Sequence, residues 1–192
     1  GDTFSVGNYK VLLSNFIFQK EDGSFLNIKN AYGYLSFANG IKSVKVEGIP
    51  EGKYKSIAFE VGLDSAINHG DFAQWPATHP LNPVLTGMHW EWKTGYIFHI
   101  FEGGFMDNGK VSSFSFHVAQ DKNVYKYVFV NDFTVASNVT AEFNAQADSY
   151  FSSFINLSLK TDGSFSHSDD VDPLMMKFRG NMQDAFDLVS VK

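Results

Sequence analysis

Apolar and polar side chains alternate in short runs along most of this chain. Nine segments are rich in aromatic and β-branched residues and bounded by Gly, Asn, Asp or Pro: Tyr9 to Phe18, Tyr34 to Phe37, Val44 to Val46, Ile57 to Leu63, Tyr96 to Phe101, Phe114 to Val118, Val124 to Val130, Phe133 to Phe143 and Ile155 to Leu159. Each predicts a strand, and together they predict an all-β, antiparallel β-sandwich of about nine strands. In Ser113-Phe114-Ser115-Phe116-His117-Val118, the residues Phe114, Phe116 and Val118 share one face while Ser113, Ser115 and His117 share the other. His117 is therefore expected to point away from the main core. The run Tyr96 to Phe101 is apolar on both faces, which predicts a central strand with His99 as a core or cross-strand residue.

Punctuation between these runs is equally local. Glu21-Asp22-Gly23-Ser24-Phe25 and Thr161-Asp162-Gly163-Ser164-Phe165 both place Asp-Gly between strand-like runs, predicting two-residue hairpins with Gly at positive φ. Two segments look helical. Asp64 can cap a short turn over Ser65 to Asn68, with Gly70 as the stop. Asp172-Pro173 opens a segment in which Leu174, Phe178, Met182 and Phe186 recur at four-residue steps, predicting one amphipathic C-terminal helix packed on a sheet. Between Leu63 and Tyr96 lies a long loop at one end of the sandwich, and loops of that length usually carry function.

Composition narrows the possibilities. A chain of 192 residues predicts a single domain spanning 1–192, and 44% hydrophobic against 19% charged residues excludes a disordered tail. The net charge of −6 makes nucleic acid an improbable partner. No apolar run reaches the roughly 20 residues of a membrane-spanning helix. With no Cys, thiolate metal sites and cysteine nucleophiles are excluded, so a metal must be held by His, Met, carboxylate or a modified side chain. The start at Gly1-Asp2-Thr3-Phe4 suggests a processed or truncated chain and is compatible with removal of a signal peptide. A nucleophile elbow, a His-Glu-x-x-His helix and a phosphate-binding Gly loop are all missing from the sequence, so a non-catalytic role is expected. Asp169, Asp170 and Asp172 precede a predicted helix start, where carboxylates are favoured by the helix dipole.

Candidate chemistry gathers in the long loop. His69, His79 and His89 and all three tryptophans, Trp75, Trp90 and Trp92, fall between positions 69 and 92. That grouping favours a binding surface over packing alone. His79, before Pro80, reads as a loop residue, Met88 as packing and His167 as a solvated residue at a polar strand end.

The strings Val61-Gly62-Leu63-Asp64-Ser65-Ala66-Ile67-Asn68-His69, Leu81-Asn82-Pro83, Met88-His89-Trp90-Glu91-Trp92-Lys93-Thr94-Gly95-Tyr96-Ile97-Phe98 and Phe116-His117 resemble the MbnP-like family of copper-binding proteins, named after the partner encoded beside methanobactin operons. Leu13-Ser14-Asn15 and Asp172 to Phe186 resemble its opening strand and closing helix. The resemblance implies an exported β-sandwich, periplasmic or on the outer surface, with lipid anchoring in some members. It implies copper, as Cu(I) or Cu(II), held by two His and by a kynurenine made from Trp through oxidative ring opening by a separate dihaem enzyme. An intact indole is a poor ligand, whereas ring opening exposes an arylamine nitrogen and a carbonyl. Carried over, the implied ligands are His69, His117 and either Trp90 or Trp92, with His89 and Met88 as neighbours whose part is open. The chain departs from the family in carrying His89 where an aromatic residue is commoner, and in lacking the Gly-Ser run and Cys that follow Phe-His in some members. The expectation is a monomeric copper-scavenging, storage or delivery protein. A rival of another class is a cell-surface adhesion or glycan-binding module with Trp75, Trp90 and Trp92 as a stacking platform.

Overall fold

The computed structural model describes residues 3–90, 95–169 and 171–192, and among these the fold is built from eleven strands. A large sheet has β1 (Phe4–Lys20) near its middle. Residues 4–11 of this strand pair with β6 (Gly95–Asp107), and residues 13–20 pair with β4 (Gly52–Val61). Its other edge is lined by β2 (Phe25–Ile28) and β3 (Gly33–Ser36). From β6 the sheet continues to β7 (Lys110–Ala119) and β10 (Phe165–Ser166), and from β4 to β8 (Tyr125–Val135). The two-residue β5 (His89–Trp90) pairs with the start of β6. Pairing in this sheet is antiparallel except between β10 and β7, where the strands run parallel. A second layer comprises the two-stranded sheet of β9 (Ala141–Ala145) and β11 (Phe186–Val191), with the helices α3 (Ser149–Ser152) and α4 (Pro173–Asn181).

The layers meet through aromatic rings. Phe59 and Phe129 of the large sheet contact Phe143, and Phe59 also contacts Phe186. At the other end Phe178 of α4 lies face to face with Phe116 of β7, 4.4 Å between centroids at 5°. Tyr150 stacks on both Phe178 and Phe101. Burial of such rings is the main stabilising term in a fold without disulfides. The sandwich predicted from alternation is therefore present, with Phe114, Phe116 and Val118 inward as expected.

Several local expectations are corrected. Val44 to Val46 forms no strand; the segment runs irregularly between Gly40 and Gly52, although Val44 and Val46 pack on the core. Ile155 to Leu159 also remains irregular, because its backbone finds a side-chain partner instead of a strand. Buried Asn181 accepts from Phe154 N and Ile155 N and donates to Ile155 O. The run Phe133 to Phe143 divides, its first part ending β8 and its last joining β9.

The Asp22-Gly23 turn is a hairpin, but Lys20 N bonds Ser24 O, so the loop is three residues with Gly23 at φ 87°. Gly163 does take positive φ, yet no hairpin forms there, because the strand that follows pairs in parallel with β7. In the loop between Leu63 and Tyr96, Asp64 caps α1 (Ser65–Asn68) as expected, with His69 rather than Gly70 as the C-cap, and α2 (Pro83–Thr86) follows. Asp172 and Pro173 start α4 as expected. That helix ends at Asn181, tightens into a 3₁₀ turn over Met182–Asp184, and leaves Phe186 to begin β11, where pairing with Ala145 satisfies its backbone.

His99 is a core residue, at 0% exposure. Its Nδ1–H donates to Lys10 O at 2.8 Å, and its ring is packed among Tyr9, Phe101, Tyr150 and Phe178. Burial pushes its pKa down to about 4. Between pH 6.5 and that value the unfolded chain takes up a proton that the folded protein refuses, so stability falls as pH drops through this window. The depression from 6.5 to about 4 corresponds to about 3 kcal/mol. Denaturant unfolding at pH 6.5 and pH 4 should show that extra loss in the wild type and not in His99→Phe; equal losses would contradict this account.

Candidate metal centre

The β6–β7 register sets the polar face on which the candidate residues lie. Asn8 of β1, Glu102 of β6 and Ser115 of β7 are direct cross-strand neighbours, and His117 lies two residues beyond Ser115 on the same face. His117 Nε2 is 2.7 Å from Glu102 Oε1. A carboxylate can only accept, so Nε2 carries the proton and Nδ1 the lone pair. Glu102 is held in place by Asn8 Nδ2 at 2.7 Å and Ser115 Oγ at 3.0 Å. Burial works to raise the Glu102 pKa, but these donors and His117 outweigh it and hold the carboxyl below its usual range. For His117, burial dominates and lowers its pKa, Glu102 opposes part of that, and His167 adds to the lowering. The ring is therefore neutral at neutral pH, with Nδ1 buried and without a hydrogen-bond partner among the described residues. A neutral imidazole with a carboxylate on one nitrogen and a lone pair on the other is the form in which His binds metals.

His69 is built on the same plan from different elements. As the C-cap of α1 it projects toward Asp121, with Nε2 3.1 Å from both carboxylate oxygens. Burial works to raise the Asp121 pKa, but hydrogen bonds from Ser65, Asn68 and His69 outweigh it and hold it low. The neighbouring Asn68 fastens this corner to the sheet. Its Nδ2 donates to Asp121 at 2.6 Å, and its Oδ1 accepts from Tyr96 N at 2.7 Å. Gly95, at φ 134°, makes room for it, since a Cβ there would fall 2.8 Å from Asn68 Oδ1.

Trp90 pairs with Gly95 across the β5–β6 ladder. Its ring lies 5.9 Å from that of His117 and 6.1 Å from that of His167, and the residue is 9% exposed. The structure thus brings together His117, Trp90 and His167, while His69 meets Asp121 and Asn68, which in turn touches the strand opposite Trp90. His69 and His117 are not in ring contact. Trp92 lies outside the described residues, as does Asp170. His89 faces the other way, packing on Phe72 and Tyr96, and Met88 is fully buried in the core, consistent with packing. His79 stacks on Trp75 at 4.2 Å and accepts Leu81 N at Nδ1, which makes it a loop-bracing residue. Trp75 and Trp90 do not share an open face, because the Trp90 ring is covered. Among the described residues, no cluster of three or more His, Cys, Asp or Glu is preassembled for a metal. The donors present are imidazoles, which suit copper and zinc rather than calcium or magnesium.

The sequence profile of the MbnP family matches residues 1–169. The chain belongs to the MbnP family. Among solved structures it is similar to MbnP from Methylosinus trichosporium, at TM-score 0.54 and 19% identity, covering 88% of this chain and 71% of the other. That likeness bears on the fold. No match is found among curated proteins.

Sequence reasoning missed Glu102, Asp121 and the placement of His167. Glu102 could have been found by setting Tyr96 to Phe101 and Phe114 to Val118 side by side as a hairpin, which puts it opposite Ser115. His167 reads from sequence as solvated and is exposed, yet its ring stacks on His117 at 4.5 Å and 8°. Nothing local signals that contact.

If Asn68 fastens this corner as described, Asn68→Ala leaves Tyr96 N–H buried without its acceptor and should cost about 1–3 kcal/mol in denaturant unfolding. Gly95→Ala should be destabilising as well, because its Cβ collides with the same side chain. A wild-type unfolding midpoint in both variants would contradict this role.

Proposed function

We propose that this MbnP family member is a non-catalytic copper-binding protein that scavenges, stores or hands on copper, with His69 and His117 as ligands and Trp90 or Trp92 at the site. One observation carries this reading: the buried Nδ1 of His117 has no hydrogen-bond partner among the described residues, while Glu102 fixes the proton on Nε2. A bound cation would satisfy that lone pair. His69 has the same carboxylate-backed form through Asp121, which supports its pairing with His117.

The donor set favours copper among common metals. Neutral imidazoles with few other ligands suit Cu(I), or Cu(II) completed by water, whereas structural zinc sites use four protein ligands. Trp90 borders His117 and is a candidate for conversion to kynurenine by a separate dihaem enzyme, with Trp92 the alternative that the family resemblance implies. Export to the periplasm or outer surface belongs to the same reading. The covered ring of Trp90 removes support from a glycan platform.

Metal analysis of protein made in its native host tests the proposal. Wild type should retain copper, and His69→Ala and His117→Ala should each lower its stoichiometry. Copper content unchanged in both variants would sink the ligand assignment. An intact mass matching unmodified tryptophan in native protein would remove kynurenine from the site without touching the two His.

A further inference from the structure

The imidazole stacked on His117 has no part in the reading above. The geometry points to His167 as a further copper ligand, acting on the same ion as His117; this rests on the copper reading of His117 and adds a donor to it.

Backbone pairing puts His167 beside His117. In the parallel β10–β7 ladder, Phe165 is opposite Ser115 and Ser166 opposite Phe116, so the next residue arrives at His117. Ser168 then fixes the chain there. It is fully buried at φ 57°, an uncommon conformation for a residue with a Cβ. Its hydroxyl donates to His117 O at 2.8 Å and accepts from Ala119 N at 3.0 Å. A serine fastened to His117 O and Ala119 N holds the preceding residue against β7, while leaving the His167 side chain at the surface.

The resulting pair is asymmetric in a way that suits capture of an ion. His117 is half-buried, with its proton fixed by Glu102 and its Nδ1 shielded from solvent. His167 is exposed and meets solvent first. Its ring can turn from the stacked position to share an ion with its neighbour. Glu102 is engaged by Asn8, Ser115 and His117, so it serves as the backing carboxylate and the direct donors are nitrogen. Imidazole donors without a direct carboxylate favour copper over harder cations.

The test loads the full chain with Cu(I) against a chromophoric Cu(I) chelator and counts imidazole ligands by X-ray absorption, in wild type, His69→Ala, His117→Ala and His167→Ala. His167→Ala should weaken copper binding by roughly tenfold or more and remove one imidazole. Its melting temperature should stay at the wild-type value, because the side chain is exposed. Wild-type affinity and imidazole count in His167→Ala, alongside loss in His117→Ala, would overturn the His167 assignment and leave the copper reading standing. Wild-type affinity in all three variants would overturn both.

Discussion

The face-to-face contact between Phe116 and Phe178 joins the large sheet to the C-terminal helix, and much of this protein follows from it. With Phe116 committed to the helix, the period of two along β7 sends Phe114 and Val118 to the same interior and turns Ser115 and His117 out. The helix is held over that spot by its Asp172 cap and by Tyr150, which stacks on Phe178. Offset and stacked aromatic pairs contribute about 0.5–1.5 kcal/mol each beyond the area they bury. In a chain without disulfides, this aromatic layer is the principal device fixing which face of β7 is wet.

The same motif appears twice. His117 is backed by Glu102 and His69 by Asp121, each carboxylate fixing the proton on Nε2. The carboxylates are themselves held by neutral donors: Asn8 and Ser115 in one case, Asn68 in the other. A carboxylate with several donors stays ionised, and an ionised carboxylate orients an imidazole as a donor on one side and a lone pair on the other. Trp90 lies between these arrangements in connectivity, paired with Gly95 on the strand that Asn68 braces and packed on His117. Membership of the MbnP family gives this arrangement its functional setting.

Features set by neighbouring residues were legible in the sequence. The outward turn of His117, the caps at Asp64 and Asp172, the positive φ of Gly23 and the core position of His99 all follow from periodicity or local backbone preference. Features that needed a distant partner were not. Ile155 to Leu159 alternates like a strand, but Asn181 supplies its hydrogen bonds in place of a neighbouring strand. Phe186 keeps the four-residue spacing of the helix, yet β9 offers its backbone a ladder.

The sequence by itself determined an aromatic β-sandwich without thiolate chemistry and a His-bearing loop matched to one family, because composition and alternation act through each residue's own preferences. Tertiary structure decided which side chains meet. His167 reaches His117 only because a parallel strand pairs across about fifty residues of chain, in a register set by backbone hydrogen bonds and by Ser168. Glu102 reaches His117 only through the β6–β7 pairing. Strand register is a property of two strands and the core beneath them, so no single segment of sequence carries it.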